Sequence, residues 1–194
     1  MTTAVPVSDP SRVVLRPVDL AVARAVLRNR RGDDWTPGYP TQADRELCEL
    51  LIQRAMTAGA ASGKALELFS PNQVVFMQKV VGSIGCHQPP GGDATVEIGY
   101  GLAPEWRGRG LATTAVALLV SRLFETGIAT VIACTDEDNL ASQAVLRRNG
   151  FRVAGEGRDG SILWSLTTGR YELMRRAAPD PAVVVVAPGR QPVT

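Results

Sequence analysis

One histidine, His87, supplies every imidazole this chain has, and Cys48, Cys86 and Cys134 supply every thiol. A structural zinc site needs clustered Cys and His at short spacings, and these residues offer none. Three cysteines cannot all pair with one another. Cys86 and Cys134 each stand in an apolar run that reads as a strand, so both are expected to be buried structural thiols. The N-terminus lacks the cationic, apolar and small-residue pattern of a secretion signal. No apolar run approaches the ~18–20 residues that span a bilayer. These absences place the chain in a reducing cytoplasm. The net charge is only +2, which argues against nucleic acid or an anionic membrane as partner.

Two familiar phosphate motifs are also missing. A P-loop has Ser or Thr after its Gly-Lys pair, and here Gly63-Lys64 is followed by Ala65. A dinucleotide fingerprint needs a third glycine at position 113, which is Thr113. With 194 residues, 45% of them hydrophobic and 21% charged, the chain has the make-up of one globular domain.

What is present is the stretch from Glu97 through Thr113. It reads as an apolar strand headed by a carboxylate, a Pro turn, an Arg/Gly loop and then, without a gap, a helix. A helix N-terminus carries unpaired N–H groups and partial positive charge, so it attracts anions. Gly108 and Gly110 allow a phosphate to approach the backbone, and Arg107 and Arg109 add cationic donors. An ordinary glycine-rich turn before a helix is the plainer reading. After this helix, which Gly127 ends, the β-branched run from Ile128 to Cys134 reads as a buried strand. A second helix lies between Asp136 and Gly150, with acidic residues before it, Arg147 and Arg148 in its last turn, and a glycine stop.

Arg107-x-x-Gly110-x-Ala112, followed in order by Asn139-x-x-Ser142 and Gly150-Phe151, resembles the signature of the GNAT superfamily of N-acetyltransferases. The resemblance covers roughly residues 12–174 and is greatest to the branch with ribosomal-protein N-terminal acetyltransferases. It implies an acyl-CoA N-acyltransferase fold, a central mixed α/β sheet with helices on both faces. It implies acetyl-CoA as co-substrate, bound by Leu102, Ala103 and Arg107, Gly108, Arg109, Gly110, Leu111, Ala112 and Thr113, with Arg107 to Thr113 holding the pyrophosphate. It implies that Asn139 and Ser142 meet the pantetheine arm, with Ser142 as the polar group near the sulfur. The plainer alternative makes Asn139 a helix cap and Ser142 a small surface residue.

The elements expected along the chain agree with that order. A loose N-terminus covers residues 1–11, one domain 12–176 and a Pro/Val-rich tail 177–194. Val13–Pro17 is a strand, and Asp19 caps a helix running to about Arg30. A turn-rich loop with Trp35 and Tyr39 follows, and Thr41 begins a second helix. Gln73–Met77 and Val80–Cys86 form a hairpin turning at Gln78-Lys79. Pro89–Asp93 turns into the Glu97 strand. Strands follow from Phe151 and around Ser161–Leu166, and the Thr168-Gly169 turn leads to a last strand, Arg170–Met174.

Alternation along a strand puts Glu97, Gly99 and Gly101 on one face and Tyr100 on the other. Two glycines beyond a carboxylate leave room for a ligand. Glu97 is thus the candidate general base, the alternative being a solvated or Arg-paired glutamate. Tyr100 reads as a core aromatic in preference to a thiol acid, and His87 as structural. Trp35 and Tyr39 either wall an acceptor pocket, as the resemblance implies, or staple their loop to the sheet. No cysteine sits in a nucleophile constellation, so direct transfer in a ternary complex is expected. A protein N-terminus, a lysine and a small amine all remain open as acceptor, and a homodimer is compatible with the sequence. The rivals are a non-catalytic acyl-CoA sensor of the same fold and an enzyme using another acyl group, such as succinyl.

Overall fold

A computed structural model describes residues 12–57, 69–87 and 92–177. The expected N-terminus 1–11, the 88–91 part of the turn before Glu97 and the tail from 178 lie outside them. The elements are β1 (Val14–Pro17), α1 (Leu20–Leu27), α2 (Gln42–Thr57), β2 (Asn72–Phe76), β3 (Lys79–Cys86) and β4 (Thr95–Leu102). A 3-10 turn (Pro104–Trp106) leads to α3 (Leu111–Glu125), β5 (Thr130–Thr135), α4 (Leu140–Arg148) and β6 (Arg152–Glu156). A second 3-10 turn (Arg158–Gly160), β7 (Ile162–Thr167) and α5 (Thr168–Ala177) complete the described residues.

The seven strands form one mixed sheet in the order β1-β2-β3-β4-β5-β7-β6, the expected architecture. Only β4 and β5 run parallel; every other neighbouring pair is antiparallel. Strand alternation feeds two cores. Val74, Val81 and Val96 pack with Leu119 and Leu123 of α3 and Leu146 of α4 on one face. Val80 packs with Ala23 and Val26 of α1 and Cys48 and Leu51 of α2 on the other. Among the described residues, no helix is long and apolar enough to cross a membrane.

Local chemistry explains most element ends. Asp19 Oδ1 accepts from the Val22 N–H at 2.7 Å, which starts α1 as the sequence implied. Asp44 Oδ2 accepts from the Thr41 N–H at the head of α2. The β2–β3 turn sits at Met77-Gln78, one residue earlier than expected, because Lys79 already pairs with Phe76. Both turn residues have positive φ, 49° and 61°, the geometry of a two-residue hairpin.

Two expectations are corrected. Arg170–Met174 belongs to the helix α5, and so Tyr171 is not on a strand. Its apolar residues are three apart: the Tyr171 ring packs on Phe124 at 4.9 Å, and Met174 fills the space beside Gly150. Cys134 is exposed, whereas Cys48 and Cys86 are buried. Val131, Ala133 and Thr135 face the core, which leaves Cys134 on the opposite face of β5.

Candidate active site

The sheet opens at its centre. Pairing of β4 with β5 runs through Thr95–Thr130 and Val96–Val131 and stops at Glu97–Ile132. Beyond that rung, β4 continues to Leu102 held by β3 alone, and β5 continues to Thr135 held by β7 alone. Two parallel strands that diverge expose facing edges with unused backbone groups, a slot able to hydrogen-bond an extended ligand. This notch depends on where two distant segments part company, so residue patterns did not reveal it.

The Arg/Gly loop lies at the end of β4, as expected. Gly108 and Gly110 have φ values of 72° and 76°, the left-handed region that favours glycine. Gly110 is the residue before α3, and nothing lies within 4 Å of where a Cβ on Gly108 would point. Thr113 Oγ1, in the first turn of α3, is buried without a hydrogen-bond partner. Open glycine backbone, a helix N-terminus and an orphaned hydroxyl fit an anionic group such as a pyrophosphate. Arg107 Nε donates to the Leu102 carbonyl at 3.0 Å, which folds the loop back on the strand end. The Arg109 guanidinium stacks on Trp106 at 4.9 Å.

The loop with Trp35 and Tyr39 braces this turn. Trp106 Nε1 donates to Thr36 Oγ1 at 2.8 Å, and Thr36 Oγ1 donates to Glu105 Oε1 at 2.9 Å. Trp35 and Tyr39 stack edge-on at 4.9 Å in the second core, with 8% and 2% of their surfaces exposed. Both pack against this core as staples would, and Tyr39 is almost wholly covered. Burial raises the Tyr39 phenol well above its ordinary range, although bonds to Ser83 and Gln73 oppose this.

At the other wall, Asn139 Oδ1 accepts from the Ser142 N–H at 3.1 Å, so Asn139 is the N-cap of α4. Across the notch, the Tyr100 hydroxyl donates to the Ser142 carbonyl at 3.2 Å. Tyr100 therefore ties β4 to the first turn of α4, and burial pushes its phenol up to about 12. Sequence reading gave it a core role; it is also the hydroxyl beside Ser142.

The opposite face of the sheet carries Glu97. Gly99 does not leave an empty space there. A Cβ on Gly99 would fall 2.2 Å from His87 Nε2, so the imidazole occupies it. Gly101 is covered by Ala43 and Thr41 of the α2 end. His87 Nδ1 lies 3.3 Å from Glu97 Oε1, with the two side chains 37% and 26% exposed. The His87 hydrogen bond holds the Glu97 carboxyl below its ordinary range, against a smaller burial effect, with Arg158 and Cys134 helping. A base awaiting a proton would be raised instead, so Glu97 alone does not meet the requirement that burial lift it. His87 is the residue that sequence reading set aside.

Cys134 shares this face, two residues beyond the partner of Glu97. Burial and then the Glu97 carboxylate raise its thiol, opposed by Ser161 and Arg158. An acyl-carrying nucleophile needs a depressed thiol. Cys134→Ala should keep most of its turnover, and rapid-quench assays should find no acylated protein. A trapped acyl-cysteine would show a covalent route. A separate hollow of ≈ 540 Å³ is lined by Arg147, Phe151, Arg152, Val153, Trp164 and Arg170. It shares no residue with the cradle or the notch, and it lacks any carboxylate or thiol.

Comparison with known proteins adds to this geometry. Residues 12–152 match the family model described as an acetyltransferase (GNAT) domain. YdaF of Bacillus subtilis, provisionally named a ribosomal N-acetyltransferase, is 36% identical over 88 residues, 45% of this chain and 48% of YdaF. The match thus spans about half of that relative's length. RimJ of Mycobacterium smegmatis, solved with a CoA-disulfide, superposes with a TM-score of 0.59 at 22% identity, covering 87% of this chain and 90% of RimJ. The aminoglycoside acetyltransferase AAC(6')-Ib, solved with coenzyme A, gives 0.60 at 19% identity, covering 84% and 99%. The match to the family model extends from two residues before β1 to the start of β6, and so takes in the cradle, the notch and both of its walls: the chain belongs to the GNAT acetyltransferase family.

Proposed function

We propose that this protein transfers an acetyl group from acetyl-CoA to a primary amine, directly and within a ternary complex. The observation that carries the reading is the β4–β5 notch, which opens between a helix-terminal anion cradle and a His87–Glu97 pair. In this reading residues 107–113 hold the pyrophosphate, chiefly by backbone N–H groups, and residues 102–103 border the cofactor. Asn139 and Ser142 border the pantetheine arm, and the arm runs along the free edge of β4. The bound CoA in the structures of RimJ and AAC(6')-Ib supports this donor.

The amine enters from the Glu97 face, where acid-base groups are available. Attack on the thioester needs a neutral amine, a donor for the developing oxyanion and a fate for the leaving thiolate. Ser142, with the Tyr100 hydroxyl beside it, lies at the sulfur end and serves the thiolate. Ser142→Ala should lower kcat more than it raises the Kd for acetyl-CoA, read by thiol release and by calorimetry. Normal turnover in that variant would demote Ser142 to packing.

A ribosomal-protein N-terminal amine is the first acceptor to try, given the naming of YdaF, and an aminoglycoside amine the second, given AAC(6')-Ib. An α-amine, with a pKa of ~7.7–8.0, asks less of a base than a lysine at ~10.4. The deciding experiment is a mass-spectrometric screen of N-terminal peptides, lysine peptides and small amines with acetyl-CoA and succinyl-CoA. Acetyl-CoA binding without any acylated product would favour a sensor.

A further inference from the structure

We propose that His87 is the group that takes the proton from the acceptor amine, with Glu97 behind it as a positioning residue. The proposal rests on the amine-acetyltransferase reading above and assigns the acid-base work within it.

The placement of His87 is built. Its backbone N–H donates to the Glu97 carbonyl at 2.8 Å and extends the β3–β4 ladder by one rung past Cys86. The side chain turns over Gly99, a strand position that lacks a Cβ. Any other residue there would meet the ring, so Gly99 is a seat for the imidazole. Nδ1 lies 3.3 Å from Glu97 Oε1, and the carboxylate there favours a proton on Nδ1, which leaves the Nε2 lone pair free. Among the described residues, Nε2 has no hydrogen-bond partner. Gly99 lies two residues past the last β4–β5 rung, so Nε2 sits beside the notch, and the ring is 37% exposed. This is the arrangement in which a carboxylate fixes tautomer and orientation while the far nitrogen accepts a proton.

The competing assignment gives the proton to Glu97 directly. A carboxylate at ~4.3 lies more than three pKa units below an α-amine, so direct transfer to it is roughly thousands-fold unfavourable. The depression of Glu97 by its bond from His87 widens that gap. The charged and titratable groups facing the pair are Cys134 on β5 and Arg158 on the turn before β7, and both act on Glu97. Neither is in hydrogen-bond contact with the imidazole.

The step balances. The ammonium gives one proton to Nε2, and the neutral nitrogen attacks the thioester carbon. The N–C bond forms, the C–S bond breaks, and the thiolate carries off the second amine proton. The imidazolium then returns its proton to water.

The chain has a single histidine, which makes the test clean. Wild-type protein, His87→Gln and Glu97→Gln are compared from about pH 6 to 9 with acetyl-CoA and the best amine of the screen. We expect His87→Gln to lose ~10²–10⁴ in kcat/KM and to lose the acid limb of the profile. Its Kd for acetyl-CoA should be unchanged by calorimetry, which also reports that it is folded. Glu97→Gln should keep the acid limb at reduced height, and free imidazole should restore part of the activity of His87→Gly. Nitrogen-15 NMR of the one imidazole should show the Nδ1-protonated tautomer, whatever the acceptor. A His87→Gln enzyme with the wild-type profile would overturn the proposal, as would an acid limb lost only in Glu97→Gln or the opposite tautomer. A wild-type protein that acetylates no amine at all would instead sink the transferase reading and this assignment with it.

Discussion

Gly110→Asp should weaken acetyl-CoA binding by ~10²–10³ while leaving the protein folded. Two effects add at this residue. Gly110 has φ of 76°, where a side chain costs about 1–2 kcal/mol, so the loop must shift to relieve it. The new carboxylate would also stand at the N-terminus of α3, where the reading places the pyrophosphate. Replacing an attractive charged contact there by a repulsive one costs about 1.5–3 kcal/mol. Together these come to about 2.5–5 kcal/mol, or roughly two to four decades in Kd, and relaxation of the loop keeps the loss in the lower part of that range. Gly110→Ala separates the terms, because it carries the strain without the charge and should lose only about tenfold. Calorimetry gives the affinities, and thermal melts give the integrity of the fold. The loop lies outside the large apolar cores, so the melting temperature should fall by a few degrees at most. A folded Gly110→Asp protein with wild-type affinity would move the cofactor away from this loop.

The difference between what the sequence disclosed and what it hid follows from distance along the chain. The Arg/Gly loop is a run of consecutive residues, and its glycines need positive φ for local reasons, so its backbone shape was legible. So were the Asp19 cap, the α4 cap and the strand alternation that puts Glu97 opposite Tyr100. Periodicity over a short stretch is ambiguous: Tyr171 and Met174 fit either a strand or a helix until Phe124 and Gly150 are seen beneath them. The notch was hidden because strand pairing ends by tertiary geometry, and no residue type marks its last rung. Cys134 was taken for a buried thiol because its run is apolar, but alternation puts it on the face away from the core that Val131 and Ala133 enter. Gly99 was read as space for a ligand, and the space belongs to His87, twelve residues earlier in the chain. A glycine in a strand reports a close approach but not by what. The bracing of the cradle by Thr36 and Glu105 spans some seventy residues, beyond any local pattern.

Glu97→Gln should reduce turnover by ~10²–10⁴, whichever member of the pair accepts the proton. The substitution keeps the size of the side chain and a hydrogen-bonding oxygen for His87. What it removes is the negative charge that orients the imidazole and balances the imidazolium. Acetyl-CoA affinity should hardly change, because Glu97 lies on the face of β4 away from Tyr100 and the α4 wall. The loss should shrink as the pH rises toward that of the free amine, since more acceptor is then neutral without help. Stability carries an independent signature. The Glu97 carboxyl is lowered in the folded state by its bond from His87. A lowered carboxyl stabilises the fold at pH values above the ordinary glutamate range, and that contribution is lost as the pH falls through and below it. Wild-type protein should therefore lose stability faster than Glu97→Gln below about pH 4.5, with the two converging in acid. The effect will be small, because the pair is partly exposed and screened. Urea melts at stepped pH measure it. A Gln variant with full turnover across the range and a parallel stability curve would show that the carboxylate does neither job.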